Sequence, residues 1–323
     1  MMRRPDGPWL VHLGNAVVDL VVPVPHLPER GGDVIAYGAT AHVGGGFNVM
    51  AAAARHGLPV AYGGMHGTGQ YAELVRAALR DEGVVLLQPP VPEVDTGLVL
   101  TFVDADGERT FVTLPGAEAR LSPPALARVT PRPADLLYVT GYSLAHPVNR
   151  AALTGWLPRL DPQVLVVVDP GPLVASLPAD ALDVVLDRAD WVTANLAEAR
   201  ALTGQDDSGA AAVALARRAG RRGVVVRAGA DGCVLVEAGG EPVTVPPVAV
   251  TVVDLNGAGD THTGVLMAEL ARGACAADAA ARANAAAALA VTRPGPATAP
   301  TRRELDVFLD PTHHGARLPA HRA

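Results

Sequence analysis

The sequence predicts an α/β chain: a mostly parallel central sheet covered on both faces by helices, with a small β-structure standing off it. Three observations carry that expectation. Short, nearly uninterrupted apolar runs alternate with longer alanine-rich stretches of helical period, the pattern of strands buried on both faces. Two separated regions break the alternation with extended, β-branched sequence. A length of 323 residues, 49% of them hydrophobic, is enough for a large core, yet no apolar run is long enough to span a membrane.

In chain order, the strand candidates are WLVHLG (9–14), VAYGG (60–64), DLLYVT (135–140), VLVVVD (164–169), DWVT (190–193) and GVVVRAG (223–229). Helical period places helices between them at 47–56, 70–82, 147–157, 180–188, 195–203 and 208–220, then at 260–272, 276–291 and 302–309. Residues 18–24 and 33–43 read as extended, and 96–114 as a hairpin turning at Asp106-Gly107. These segments either pair as a lid over a site or extend the main sheet. No repeat or linker divides the chain, so 1–323 is expected to be a single domain with lid segments inserted in it. Residues 311–323 are expected to be a flexible tail, with His313 and His314 solvated.

Composition excludes several chemistries. There is no lysine, which removes a P-loop lysine, Schiff-base catalysis and lysine-bound pyridoxal phosphate. The net charge of −7 offers nucleic acid no electrostatic footprint. Cys233 and Cys275 match no metal or redox spacing, which points to a reducing cytoplasm. The basic N-terminus runs into a strand-like pattern without a cleavage site and is expected to be mature protein with no membrane association.

The stretch VDLNGAGDTHTG (253–264) places Gly257, Ala258 and Gly259 directly before Asp260, where a helix begins. A helix start offers unpaired N–H groups and the positive end of a dipole, and small residues let a phosphate approach them. An acid at the rim is placed to accept a proton from an attacking hydroxyl. The same residues also suit a plain turn and cap.

Beside the rest of the chain, the segment 254–260 resembles the D-T-x-G-A-G-D signature of the ribokinase-like (PfkB) carbohydrate kinases. The resemblance runs from about residue 10 to 309 with its landmarks in order. LGNAVVD (13–19) looks like the family's first strand, ending in a substrate-binding acid at Asp19, and VGGGFNVMAAAARHG (43–57) like its glycine-rich substrate motif. NLAE (195–198) matches N-x-x-E, VVVRAGADG (224–232) the nucleotide-binding strand and turn, and 284–300 the adenine-side helix and loop.

The resemblance implies a ribokinase-like three-layer αβα sandwich with a small β-sheet lid. It implies an ATP-dependent kinase acting on a hydroxymethyl group of a sugar or nucleoside. Asp260 would be the base, with the amides of Gly257, Ala258 and Gly259 as anion hole. Asp19, Gly44, Gly45 and Asn48 would hold the substrate, and Asn195 and Glu198 would orient Mg²⁺ and phosphates. Arg227, Gly229, Gly232 and Asn284 would line the nucleotide site. A monovalent cation such as K⁺, bound by many relatives, would implicate Asp254, Asn256, Ala290, Arg293, Gly295 and Ala299, mostly through carbonyls. A homodimer joined through the lids is expected on the same ground.

Some positions depart from the family pattern: Leu255 for Thr, Val265 for a small residue, Met50 for Ser, Thr or Ala, Thr68-Gly69 for an acidic pair, and Gly171 for Asn. His262 stands where an aromatic is common and is expected to pack or to face the nucleotide. Two readings of other classes remain open here. Gly67 to Ala72 fits G-x-G-x-x-A, as in an NAD(P)-dependent oxidoreductase, and a kinase-fold regulator would bind sugar without turnover. No Arg or Lys lies within 43–48, which favours an uncharged substrate, with Arg109 the distant exception. A nucleoside would call on Leu98, Leu100, Phe102 and Phe111 of the lid.

Overall fold

A computed structural model describes residues 6–310; the tail from 311, with His313 and His314, lies outside the described residues. The central sheet is built from β1 (Leu10–His12), β4 (Val60–Tyr62), β5 (Val85–Leu86), β8 (Leu136–Thr140), β9 (Leu165–Asp169), β10 (Trp191–Asn195), β11 (Gly223–Arg227), β12 (Cys233–Glu237) and β13 (Val243–Val245). Their order is β13-β12-β11-β10-β9-β8-β1-β4-β5, parallel except for the β11–β12 and β12–β13 pairs. Each central strand buries both faces because successive side chains point to opposite sides. Leu136 and Tyr138 enter one core with the helices Gly46–Arg55, Ala258–Ala271 and Ala276–Ala290, whereas Leu137 and Val139 enter a second with Pro147–Trp156, Ala179–Arg188 and Ser208–Arg218. The result is the three-layer αβα sandwich that the alternating pattern predicts.

The interrupting segments do not extend that sheet. They form a separate four-stranded sheet in the order β3-β2-β6-β7, from β2 (Ala16–Pro23), β3 (Thr40–Gly45), β6 (Leu98–Val103) and β7 (Arg109–Leu114). Its bounds differ from the sequence expectation. The second extended segment pairs only from Thr40, because Pro25, Pro28 and three glycines between Gly31 and Gly38 keep the preceding loop out of the ladder. Asp19 does not end the first strand either: the chain leaves the main sheet at His12, and Asp19 sits inside β2. Sequence periodicity missed β12 and β13: β12 turns back from β11 through Ala228–Gly232, and β13 from β12 after the turn that Gly240 N–H closes onto Glu237 O, neither with an intervening α-helix. Among the described residues, no helix is long and apolar enough to cross a membrane.

Two helices position the chemistry. The Gly46–Arg55 helix lies against Ala258–Ala271 so closely that a Cβ at Gly264 would meet Val49 O at 2.6 Å and the Ala52 Cβ at 2.7 Å. Gly264→Leu is therefore expected to destabilise the fold by at least ~3 kcal/mol, since backbone on the facing helix cannot yield. Gly155→Ala, where a Cβ meets nothing within 4 Å on an exposed helix face, is expected to add about 0.5 kcal/mol. Denaturant melts of the two variants check both signs.

Candidate active site

Gly257 takes a left-handed conformation (φ 74°, ψ 6°), which turns the chain into the helix that starts at Ala258. Thr261 N–H closes the first turn onto Gly257 O at 2.8 Å, and Ala258 N–H leans onto Leu255 O at 3.3 Å. Among the described residues, the N–H groups of Gly257, Gly259 and Asp260 meet no internal acceptor. The open donors thus differ from the expected trio at one member: Ala258 is partly engaged, and Asp260's own amide is free in its place.

The Asp260 carboxylate is partly exposed, and its Oδ2 accepts from Asn48 Nδ2 at 3.0 Å. Asn48 is buried on the facing helix, so the helix crossing holds this pair in register. Burial pushes the Asp260 pKa up to about 6, with Asp169 adding to it and Asn48 and Arg227 opposing.

Across the cleft, Asp19 of β2 rests over the glycines of β3. A Cβ at Gly44 would fall 2.0 Å from Asp19 Oδ2, so only glycine leaves room for the carboxylate. Gly45 sits at φ 62° against Asn15. Burial, then the charge of Asp260, raises the Asp19 pKa to about 6. The pairing register puts His42, Val99 and Thr113 beside Asp19, and Thr101 and Phe111 beside Val21 on the same face. Leu98, Leu100 and Phe102 lie on the opposite face, so of the four apolar lid residues named above only Phe111 shares the side of Asp19.

Beside the helix head opens a cleft of about 560 Å³. Asn195, Arg227, Gly229, Gly232 and Asn284 line it, together with Val250, Leu255, Ala287 and Val291, so its far wall is aliphatic. Arg227 donates to Thr263 Oγ1 at 3.0 Å, to Thr193 Oγ1, and to Asp169 Oδ2 at 3.1 Å, with Glu198 Oε2 at 3.6 Å. Asn195 and Glu198 form a reciprocal capping box on the Leu196–Thr203 helix, each bond 2.8 Å. That box uses one oxygen of Glu198 and leaves the other open. Burial, with Asp169 close by, lifts the Glu198 pKa to about 7 against the pull of Arg227.

Asp169 and Tyr142 were not singled out from sequence. Asp169 is the last residue of β9, and nothing in its local sequence marks it out. The Tyr142 pKa is raised by burial first and then by Asp260, Glu198, Asp169 and Asp19.

The positions suggested for a monovalent cation gather around the Asp254 loop. Asp254 accepts from Arg109 at 2.8 Å, from Asn256 N–H at 2.9 Å and from Gly295 N–H at 3.1 Å. Its pKa is lowered: partial burial opposes that, but Arg109 and the two amides prevail. Ala290 O accepts from Thr298 Oγ1 at 3.1 Å and Ala299 O from Arg55 at 2.8 Å, while the Arg293 side chain turns to Glu304. Arg109, the one distant cation considered for a phosphorylated substrate, is thus committed to Asp254.

The G-x-G-x-x-A segment does stand between a strand and a helix, but Asp95 fills the anion position of that helix. Its carboxylate accepts from Ala72 N–H at 2.7 Å and Tyr71 N–H at 3.2 Å, and a Cβ at Gly69 would strike it at 2.5 Å. A dinucleotide pyrophosphate has no place there.

Comparison with known proteins identifies the family and the fold. The family model described as pfkB family carbohydrate kinase matches residues 10–302. An uncharacterised sugar kinase of Escherichia coli, YegV, is 33% identical over 299 residues, 91% of each chain. The ribokinase of Haemophilus influenzae is 29% identical, covering 93% of this chain and 98% of its own. Among solved structures, the ribokinase of Thermotoga maritima superposes with a TM-score of 0.78 at 24% identity, covering 94% of this chain and 99% of that one. The aminoimidazole riboside kinase of Salmonella enterica, solved with aminoimidazole riboside and an ATP analogue, gives 0.76 at 25% identity, covering 93% and 99%. With the fold, the matched span and the relatives in agreement, this chain belongs to the pfkB family of carbohydrate kinases.

Proposed function

We propose that this chain moves the γ-phosphoryl group of ATP to a hydroxymethyl group of an uncharged sugar, with Asp260 as the general base. The observation that carries this reading is the partly exposed Asp260 carboxylate, oriented by Asn48 at the head of a helix whose Gly259 and Asp260 amides have no internal partner. Asp19 accepts hydrogen bonds from substrate hydroxyls and fixes the sugar between the lid and Asp260. Asp260 takes the proton of the attacking hydroxyl. The amides of Gly257, Gly259 and Asp260, with a share from Ala258, and the helix dipole stabilise charge on the transferring group. Mg²⁺ arriving with the nucleotide supplies charge neutralisation at the phosphates. The open oxygen of Glu198 would suit its hydrated, oxygen-rich binding, with Asp169 nearby but engaged by Gly171 N–H and Arg227, and the described residues hold no ready-made cluster of three ligands.

A sugar fits better than a nucleoside because the lid register sets Phe111 beside only the small aliphatic Val21 and Val99 on the Asp19 face. Phe111 alone, which is 59% exposed, keeps a nucleoside as the second reading, in line with a neighbour named aminoimidazole riboside kinase. The opposite lid face is apolar and open: Leu20, Leu100 and Val112 share it with Leu114, and the last two are exposed. We take it as the dimer surface, and we assign the protein, with its two free cysteines, to the cytoplasm.

Asp260→Asn is expected to lower kcat by about 10³-fold while leaving ATP binding and the melting temperature near wild type. An ATP-consumption screen over sugars, nucleosides and sugar phosphates measures this; equal turnover by the variant would remove Asp260 from the mechanism, and no turnover by wild type would favour a sugar-binding regulator. The pH profile has a definite sign. The base must be ionised, and its pKa is raised to about 6, so kcat/KM is expected to be level above pH 7 and to fall as pH drops through 6. Asp19 and Glu198 protonate in the same window and steepen the fall. Sedimentation of the wild type is expected to show a dimer, and Val112→Glu a monomer.

A further inference from the structure

Four buried histidines keep a ring nitrogen without a hydrogen-bond partner among the described residues: His12, His56, His66 and His262. Three of them have other neighbours to account for them. His12 accepts from Gly14 N–H and packs between Tyr62 and Tyr138, His66 bonds Gln88 O, and His56 lies 3.8 Å from Glu269. His262 alone of the four borders the 560 Å³ cleft, and neither of its ring nitrogens is satisfied.

Its place is specific. It stands three residues after Gly259 on the same helix, hence on the same helix face, between Arg227 at the phosphate end and Asn284 on the neighbouring helix. Asn284 has already committed its Nδ2 to Val245 O and Pro246 O, and closes no bond of normal geometry with the imidazole. Burial first, then Arg227, pushes the His262 pKa down to about 3, so at neutral pH the ring carries one donor and one acceptor and no charge. If packing were the only demand, an aromatic hydrocarbon would serve better, because an unpaired buried polar atom is a net cost. A ligand that supplies the missing partner removes that cost. Both ring nitrogens are closed to solvent, so engaging a ligand in the cleft requires a turn of the ring about χ2.

We propose that His262 is a nucleotide-positioning residue, its uncharged imidazole hydrogen-bonding the bound nucleotide between the phosphate chain and the base. The proposal rests on the kinase reading and adds to it a residue that acts on nucleotide affinity without touching the phosphoryl transfer itself.

The test is titration calorimetry with a non-hydrolysable ATP analogue and Mg²⁺, which needs no knowledge of the sugar. His262→Phe is expected to weaken analogue binding about tenfold, the loss of one hydrogen bond to a buried group, and His262→Asn to stay within about threefold of wild type. In turnover, the nucleotide KM is expected to rise in the Phe variant while kcat and the acceptor KM hold. If the Phe variant binds the analogue as wild type does, His262 is a core residue and the proposal is wrong. Should that variant fail to fold by its thermal melt, His262→Leu carries the same comparison. A wild type that binds no analogue would overturn the kinase reading itself, an outcome distinct from equal binding by wild type and variant.

Discussion

The close crossing of the Gly46–Arg55 and Ala258–Ala271 helices is the constraint from which the site follows. These helices are about 200 residues apart in sequence, and only the absence of a side chain at Gly264 lets their backbones approach. The approach puts Asn48 Nδ2 on Asp260 Oδ2 across 212 positions of chain. Without it, the carboxylate at the helix head would be free to rotate, and in the proposed reaction the N–H groups beside it would hold a phosphate with no base in place. The glycine-rich strand end at Gly44 and Gly45 has a second duty: it clears space for Asp19, so that both carboxylates enter one cleft.

Electrostatics set a tension within that cleft. Asp19, Asp169, Glu198 and Asp260 act on one another around a single guanidinium, that of Arg227, and burial with like charges raises three of the four pKa values. An acid cluster of this kind repels a bare polyphosphate. It becomes a binding site when countercharge enters with the phosphate, which is why a nucleotide accompanied by a divalent cation suits it better than the free nucleotide does. The chain has no lysine to relieve the repulsion, and its other nearby arginines are committed elsewhere: Arg109 to Asp254, and Arg55 to Glu82 and the carbonyls of Ala297 and Ala299.

Much of the fold was legible because strands buried on both faces and helices of regular period leave local signatures. Leu165–Asp169 and Ala276–Ala290 lie within a residue of where the pattern puts them. What local pattern could not supply was pairing. VAVTVV before Asp254 is apolar and β-branched, yet it pairs with no strand: Val253 N–H meets Val291 O, and Val248, Val250 and Val252 line the cleft. Cys233–Glu237 is an ordinary strand, but an antiparallel return lacks the helix that marks the others. In the site, residues of the motifs were found; those acting through space, such as Asp169 from β9 and Tyr142 after β8, were not, since nothing in their local sequence reports a neighbour on another strand.

The departures from the family pattern show the same logic from the other side. Thr68 and Gly69 lack an acidic pair, but Asp95, arriving from a distant loop, places a carboxylate on the amides that follow them. Met50 and Val265 fill core positions with no exposure, where added volume is a packing matter between the two crossing helices. Leu255 is 67% exposed and borders the 560 Å³ cleft, so its substitution for threonine exchanges a hydroxyl for apolar surface where an aliphatic wall already stands. His262 runs the opposite way, putting a polar ring where an aromatic hydrocarbon would cost less. Of these positions, it is the one whose chemistry the folded chain leaves unsatisfied, and an unsatisfied group on a cleft wall is explained by what enters the cleft.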